Sequence, residues 1–198
     1  MCGIIGVSGV QDSARVAYLG LYALQHRGQE SAGIVTIDAS GAPHCHRGMG
    51  LVGELFQECD LGDLPGDVAV GHTRYSTTGS SVLANAQPCL ANYRGGPLAL
   101  AHNGNLTNAA SLRHRLVEEG AIFQSSSDSE VIVHLIARTT TADPEAQIRE
   151  ALAKIEGAYS VVITAGRTLY AIVDPRGFRP LVLGRLGDGV IVASETCA

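Results

Sequence analysis

The sequence predicts an α+β chain in which two β-sheets are enclosed by helices, although the same periodicity could equally describe a single mixed sheet. Three observations lead there. Some eight or more short apolar runs, most of them bounded by turn residues, have the length of strands. Three or four longer segments carry helical spacing and capping residues. The 198 residues, 45% hydrophobic with 24 glycines, suffice for one core, or at most two tightly packed halves.

In chain order, residues 3 to 9 (GIIGVSG) form a glycine-bounded apolar run and read as a buried strand. Residues 13 to 25 (SARVAYLGLYALQ) read as a helix with Ser13 as N-cap and Val16, Leu19 and Ala23 on one face. Residues 32 to 38, 43 to 46, 67 to 72 and 98 to 102 read as strands, and 108 to 119 and 129 to 140 as helices. Asp143-Pro144 opens a further helix reaching about Ile155, because Asp caps and Pro suits the first helical position. Strands return at 158 to 164, 168 to 173, 181 to 184 and 189 to 194, with no repeat or linker between elements.

A net charge of −5 without a basic run argues against nucleic acid and against an anionic membrane surface. The N-terminus has no basic segment followed by an apolar stretch, and no apolar run approaches the roughly 18 residues that span a bilayer. Cytoplasm is the expected location. The five cysteines, Cys2, Cys45, Cys59, Cys89 and Cys197, are odd in number and irregularly spaced, which indicates neither a zinc site nor a disulfide framework. His44-Cys45-His46 has a metal-like composition, but strand alternation places its histidines on one face and its cysteine on the other.

Residues suited to chemistry lie at the chain start and between elements. Cys2 follows Met1 directly, so removing one residue exposes a thiol and a free amine together. An N-terminal amine, with a pKa of roughly 8, can take up the thiol proton, so one residue can supply nucleophile and base. The structural alternative is a small buried residue opening a strand. Arg74, in the polar run after His72, offers a planar fork for a carboxylate, or is a surface arginine on a solvated loop. Asn103 can donate a side-chain amide and Gly104 lets a backbone N–H approach a ligand closely; together they can form an oxyanion hole, although Asn-Gly alone reads first as a turn. Ser127 with Glu130 fits a capping box, placing Asp128 in the first turn of the next helix, where the dipole stabilises an acid. As a functional pair, Arg74 and Asp128 match the two charges of an α-amino acid.

Six ordered motifs carry a resemblance. They are Cys2-Gly3-Ile4-Ile5-Gly6, the run Gln25-His26-Arg27-Gly28-Gln29-Glu30-Ser31-Ala32-Gly33, Gly71-His72-Thr73-Arg74-Tyr75-Ser76-Thr77, Asn85-Ala86-Gln87-Pro88, His102-Asn103-Gly104-Asn105 and Ser127-Asp128-Ser129-Glu130. Together they resemble the N-terminal glutaminase domain of class II glutamine amidotransferases, from Cys2 to Ala198. Within that class, Arg74-Tyr75-Ser76-Thr77, Gly48-Met49-Gly50-Leu51-Val52 and Ala193-Ser194-Glu195-Thr196-Cys197 look like the amidophosphoribosyltransferase branch. They look less like glucosamine-6-phosphate synthase, where a tryptophan is expected after the arginine, or asparagine synthetase.

The resemblance implies an N-terminal-nucleophile hydrolase fold, a four-layer αββα sandwich of two antiparallel sheets spanning residues 2 to 198. It implies glutamine as substrate and Cys2 as the nucleophile that attacks its carboxamide. The oxyanion donors map onto Asn103 and Gly104, the carboxylate-binding arginine onto Arg74 with Thr77 nearby, and the ammonium-binding aspartate onto Asp128. Tyr75 falls in a loop that orders over glutamine, and Arg27 and Gly28 line the floor near Cys2. The family's C-terminal phosphoribosyltransferase domain, which receives the ammonia and makes 5-phosphoribosylamine for purine biosynthesis, falls outside this sequence, and the complete enzyme is expected to be a homo-oligomer. No cofactor is expected in this domain; Mg2+ and an iron–sulfur cluster are expected only with the C-terminal domain. Retention of Met1 would instead leave an inactive glutamine-binding module, and a glutaminase domain of another class II enzyme or an enzyme for another amide are the remaining alternatives.

Overall fold

A computed structural model of the chain describes residues 1–75 and 80–198. Among them, one antiparallel sheet has the order β3-β2-β4-β1-β10-β9, built from β1 (Gly3–Ser8), β2 (Ser31–Ile37), β3 (Pro43–Met49), β4 (Val68–Arg74), β9 (Val182–Leu186) and β10 (Gly189–Ala193). The second has the order β5-β6-β7-β8, from β5 (Cys89–Tyr93), β6 (Gly96–Leu106), β7 (Gly157–Ala165) and β8 (Thr168–Val173). All eight strand pairings are antiparallel.

The glycine-bounded run at the N-terminus is buried on both faces, and alternation divides its side chains between two cores. Ile5 and Val7 face outward onto helix α1 (Ser13–Ala23), where Ala14, Ala17 and Leu21 meet them. Ile4 faces inward to Val70 of β4 and to Ala101 and Val162 of the other sheet. Between the sheets also lie Val35, Ile37, Val68 and Ala99. Helices α4 (Ala109–Glu118), α5 (Ser129–Ala137) and α6 (Pro144–Leu152) cover the far face of the second sheet, setting Leu116, Ile132, Ile136 and Ile148 over Leu98, Leu100, Val161 and Ile163. The layers are therefore helix, sheet, sheet, helix, the predicted αββα sandwich, and the single mixed sheet is excluded.

Several local expectations are corrected. The buried stripe of α1 is Ala14, Ala17 and Leu21, while Leu19 is 59% exposed, because the helix lies on the sheet through its small residues. Ser13 is not the N-cap. It is the first helical residue, its Oγ donating to Gly66 O at 2.9 Å, and Asp12 before it takes the left-handed conformation with φ 57°. The capping box at Ser127 and Glu130 does not form, since Glu130 accepts the Gln124 and Ser125 backbone N–H groups at 2.8 Å each. Asp128 is itself the N-cap residue, with its side chain turned elsewhere. At α6 the reading holds, with Asp143 accepting from Ala146 N at 2.8 Å and Pro144 opening the helix. Strand β4 runs on to Arg74 and β6 to Leu106, so Asn103-Gly104-Asn105 is strand and not turn. Neither β5 nor the short helices α2 (Val52–Leu55) and α3 (Glu58–Gly62) was expected.

His72 lies fully buried between the sheets, its Nε2 donating to the His102 carbonyl at 3.2 Å and so tying β4 to β6. Burial pushes its pKa down to about 3, so the folded chain refuses a proton that the unfolded chain accepts. The unfolded state thus binds more protons between about pH 3 and 6.5, and stability falls on acidification through that window, by up to about 1.4 kcal/mol per unit from this group. Denaturant midpoints measured from pH 6.5 to 4 should therefore fall less steeply for His72→Gln than for the unsubstituted chain; equal slopes would refute a neutral buried His72.

Candidate active site

The alternation that fills the inter-sheet core with Ile4, Val70, Ala99 and Ala101 continues, two residues at a time, into a polar end. Along β4 the inward positions after Val70 are His72 and Arg74. On β6 they continue from Ala101 to Asn103, and ahead of β1 the inward parity of Ile4 falls on Cys2. The register places Gly3 opposite Thr73 and Ser31 opposite Arg74, while Asn103 pairs with Ser160 of β7. One end of the sandwich therefore collects a thiol, a guanidinium and an amide.

Cys2 Sγ donates to the Tyr75 carbonyl at 3.6 Å. Burial raises its thiol pKa, and the Tyr75 contact and the positive charge of Arg74 offset this only partly. At neutral pH the sulfur carries its proton and needs a base to become a nucleophile. The Cys2 carbonyl accepts from Arg27 Nε at 2.9 Å. The Asn103 amide has one orientation that satisfies both its ends, with Nδ2 donating to the Cys2 carbonyl at 3.2 Å and Oδ1 accepting from Arg27 Nη2 at 3.3 Å. An amide nitrogen has two hydrogens. One is anchored on the Cys2 carbonyl, and the nitrogen carries a second beyond it. Gly104 follows in β6, where a Cβ would stand 2.3 Å from the Ala158 carbonyl, so no side chain fits between the strands there.

Arg74 is buried, and its Nη1 donates to Glu30 and, at 3.2 Å, to the Ser80 carbonyl. Gly28 packs flat on this residue, and the Thr73 hydroxyl donates to the Gly28 carbonyl at 2.6 Å. Tyr75 is 57% exposed, at the rim beside Cys2. Thr77 lies outside the described residues. Asp128 Oδ2 accepts the Leu106 backbone N–H at 3.0 Å and Oδ1 lies 3.6 Å from His102 Nδ1. Burial alone would raise its pKa, but His102 and the Leu106 and Ser129 backbone N–H groups outweigh that and hold it below the usual carboxylate range. It stands ionised at neutral pH, fit to receive a cation. Hydrogen bonds join Cys2, Arg27 and Asn103 directly, and Arg74 and Asp128 lie near enough to bear on the Cys2 thiol, the first lowering and the second raising its pKa.

Sequence reasoning missed the residues that hold these groups. Gln87 donates to Ser129 Oγ at 3.0 Å and accepts the His102 N–H at 2.8 Å, while His102 Nδ1 meets the same Ser129 hydroxyl at 3.0 Å. Asn85 binds Ser126 through both ends of its amide. Glu30 and Glu195 partner the two buried arginines. Each lies inside a motif already noted for its residue types, and pairing between distant segments leaves no mark on sequence spacing. Among the described residues, no group of three His, Cys, Asp or Glu side chains is arranged to hold a metal.

Residues 72–198 match the family model described as a glutamine amidotransferase domain. Over the whole chain, it is 52% identical to amidophosphoribosyltransferase 2, chloroplastic, of Arabidopsis thaliana, covering 35% of that protein. It is 50% identical over 184 residues to an amidophosphoribosyltransferase of Lacticaseibacillus casei, covering 92% of this chain and 94% of that one. The solved structure of the glutamine phosphoribosylpyrophosphate amidotransferase of B. subtilis superposes on 99% of this chain with a TM-score of 0.92 and 44% identity, the match covering 42% of that chain. The chain thus spans only 35% of the length of the Arabidopsis relative.

A Cβ on Gly28 would stand 2.5 to 2.8 Å from the backbone C, O and N of Arg74. Gly28→Ala should therefore destabilise the chain by about 1–3 kcal/mol, the usual range for overpacking. Gly62→Ala, with nothing within 4 Å, should stay within about 0.5 kcal/mol. Denaturation curves of the two variants make the comparison; equal stabilities would mean that Gly28 does not support Arg74.

Proposed function

The chain belongs to the glutamine amidotransferase domain family, and on that premise we propose that it hydrolyses the side-chain amide of glutamine to glutamate and ammonia, with Cys2 as nucleophile. The observation that carries this reading is the Asn103 amide, whose nitrogen reaches the carbonyl of Cys2 itself at 3.2 Å and has a second N–H to donate. Removal of Met1, itself 53% exposed, frees the Cys2 amine to act as base for a thiol that burial keeps protonated.

In this reading the Cys2 sulfur adds to the carboxamide carbon while the amine takes the thiol proton. The carbonyl oxygen gains the negative charge and is met by the free Asn103 N–H and the Gly104 backbone N–H. The protonated amine then delivers its proton to the departing nitrogen, the carbon–nitrogen bond breaks, and ammonia leaves a thioester. Water adds to the thioester and expels the sulfur, yielding glutamate. Arg74, steadied by Glu30, takes the α-carboxylate, and Asp128 takes the α-ammonium. Tyr75 and Thr77 complete the substrate contacts, with Arg27 and Gly28 beneath them.

The amidophosphoribosyltransferase names of the relatives support a wider role. The ammonia passes to a phosphoribosyltransferase domain of a longer, homo-oligomeric cytoplasmic enzyme, which forms 5-phosphoribosylamine at the start of purine synthesis. Mg2+ and any iron–sulfur cluster belong to that domain.

Intact mass after exposure to 6-diazo-5-oxo-norleucine, a glutamine-shaped electrophile, tests the site. A species lacking Met1 with one adduct is expected, and none in Cys2→Ala; adduct formation that survives Cys2→Ala refutes the nucleophile. Turnover assays separate the roles. Asn103→Ala should lower kcat about 10²–10³-fold with little change in KM, whereas Arg74→Ala should raise KM. A loss confined to KM in Asn103→Ala would sink the oxyanion assignment.

A further inference from the structure

The Asn103 amide can serve an oxyanion only in one of two nearly isosteric orientations, because a flipped amide presents its oxygen where the charge develops. Two contacts select the orientation, the Cys2 carbonyl on Nδ2 and Arg27, whose Nη2 offers a donor to Asn103 Oδ1. Arg27 in turn has a side chain only 5% exposed, and Glu195 supplies a carboxylate partner on its Nη1. A guanidinium buried to this degree needs such a partner.

We propose that Glu195 is a positioning residue for amide hydrolysis, holding Arg27 so that one guanidinium orients both the nucleophile and its oxyanion donor. The inference rests on the glutaminase reading above and deepens it. The three edges of the guanidinium go to three targets: Nη1 to Glu195, Nε to the Cys2 carbonyl, Nη2 to the Asn103 oxygen. Glu195 is itself placed firmly. Ser194 before it donates its N–H to the Ile4 carbonyl and accepts the Ile4 N–H on Oγ, each at 3.0 Å, and His26 Nε2 meets the second carboxylate oxygen at 3.1 Å. Arg27 foremost, then His26, keeps the Glu195 carboxyl below its ordinary pKa, so the anchor remains charged at neutral pH. With Glu195 gone, Arg27 has lost one of three fixed points, and the contact that holds the Asn103 oxygen is loosened. The substrate charges, met by Arg74 and Asp128, are untouched.

The test is a double-mutant cycle on glutamate release, combining Glu195→Ala with Asn103→Ala. Glu195→Ala should lower kcat about tenfold, the scale of one charge-assisted contact, with KM within twofold and partial recovery in Glu195→Gln. In the Asn103→Ala background the same substitution should cost clearly less than tenfold, because the part of its effect that passes through that amide is already lost and only the part through the Cys2 carbonyl remains. A role confined to docking the chain's last residues would lower the thermal midpoint, leave kcat intact at low temperature, and add in the double variant; an unchanged kcat or an additive cycle overturns the inference. A second readout does not depend on turnover. In nitrogen-15 spectra, the Asn103 side-chain amide pair, assigned by its loss in Asn103→Ala, should move in Glu195→Ala. If the unsubstituted mature chain releases no glutamate, the glutaminase reading fails, and this amide pair alone decides the positioning claim: movement upholds it and an unmoved pair overturns it.

Discussion

Ile4, Gly6 and Val70 on one sheet face Ala99, Ala101 and Val162 on the other, and side chains this small let the sheets lie so close that a Cβ on Gly6 would stand 2.6 Å from Val162. Close-packed interiors transmit any change of volume. A larger residue in this layer would push β1 and β4 away from β6, and those strands carry the opposing halves of the site. Cys2 and Arg74 are borne by the six-stranded sheet and Asn103 by the four-stranded one. The reach from Asn103 to the Cys2 carbonyl, 3.2 Å, therefore depends on the thinness of the core beneath it. His72 adds a polar strut across the same gap, and its neutral state follows from its complete burial.

The charges at the polar end are arranged in pairs, with consequences for chemistry. Arg27 is matched by Glu195, Arg74 by Glu30, and Asp128 by His102 and backbone N–H groups. Burying an ion without a partner costs several kcal/mol, so the pairs make the site foldable. At the Cys2 thiol, burial raises the pKa by more than the Tyr75 contact and the charge of Arg74 lower it. On the proposed reading, the Cys2 amine supplies the base that an adjacent histidine or a helix terminus supplies to other reactive cysteines.

Local features were legible in the sequence where one segment decides its own conformation. Asp143-Pro144 caps a helix by short-range hydrogen bonding, and the apolar run of β1 is a strand whichever neighbours it finds. Legibility failed where tertiary contacts override local preference. Asn103-Gly104 has turn chemistry, yet nine residue pairs with β7 carry β6 through it. Ser13 has an N-cap's side chain, but its hydroxyl is engaged by Gly66. Leu19 was placed on the buried stripe because it is apolar, whereas α1 sits so close to β1 that a Cβ on Gly20 would stand 2.2 Å from Ile5. In the site, the chemistry of Cys2, Arg74, Asn103 and Asp128 was readable from residue type. Their supports were not, since Glu195 reaches Arg27 across 168 positions and nothing in local spacing announces such a pair.

On the proposed glutaminase reading, the same pairings explain how a nucleophile can be unmasked by cutting the bond next to it. Cys2 is placed from its carbonyl side, where Arg27 and Asn103 donate to the oxygen and Gly3 enters the register opposite Thr73. Met1 is half exposed and is not part of the hydrophobic cores. Losing it removes little buried apolar surface, and area removed from water is what sets the hydrophobic cost. The oxygen that locates the residue and the nitrogen that becomes the base lie on opposite sides of the Cα. On that reading cleavage frees the amine, and the contacts that Arg27 and Asn103 make with the Cys2 carbonyl do not involve the residue removed.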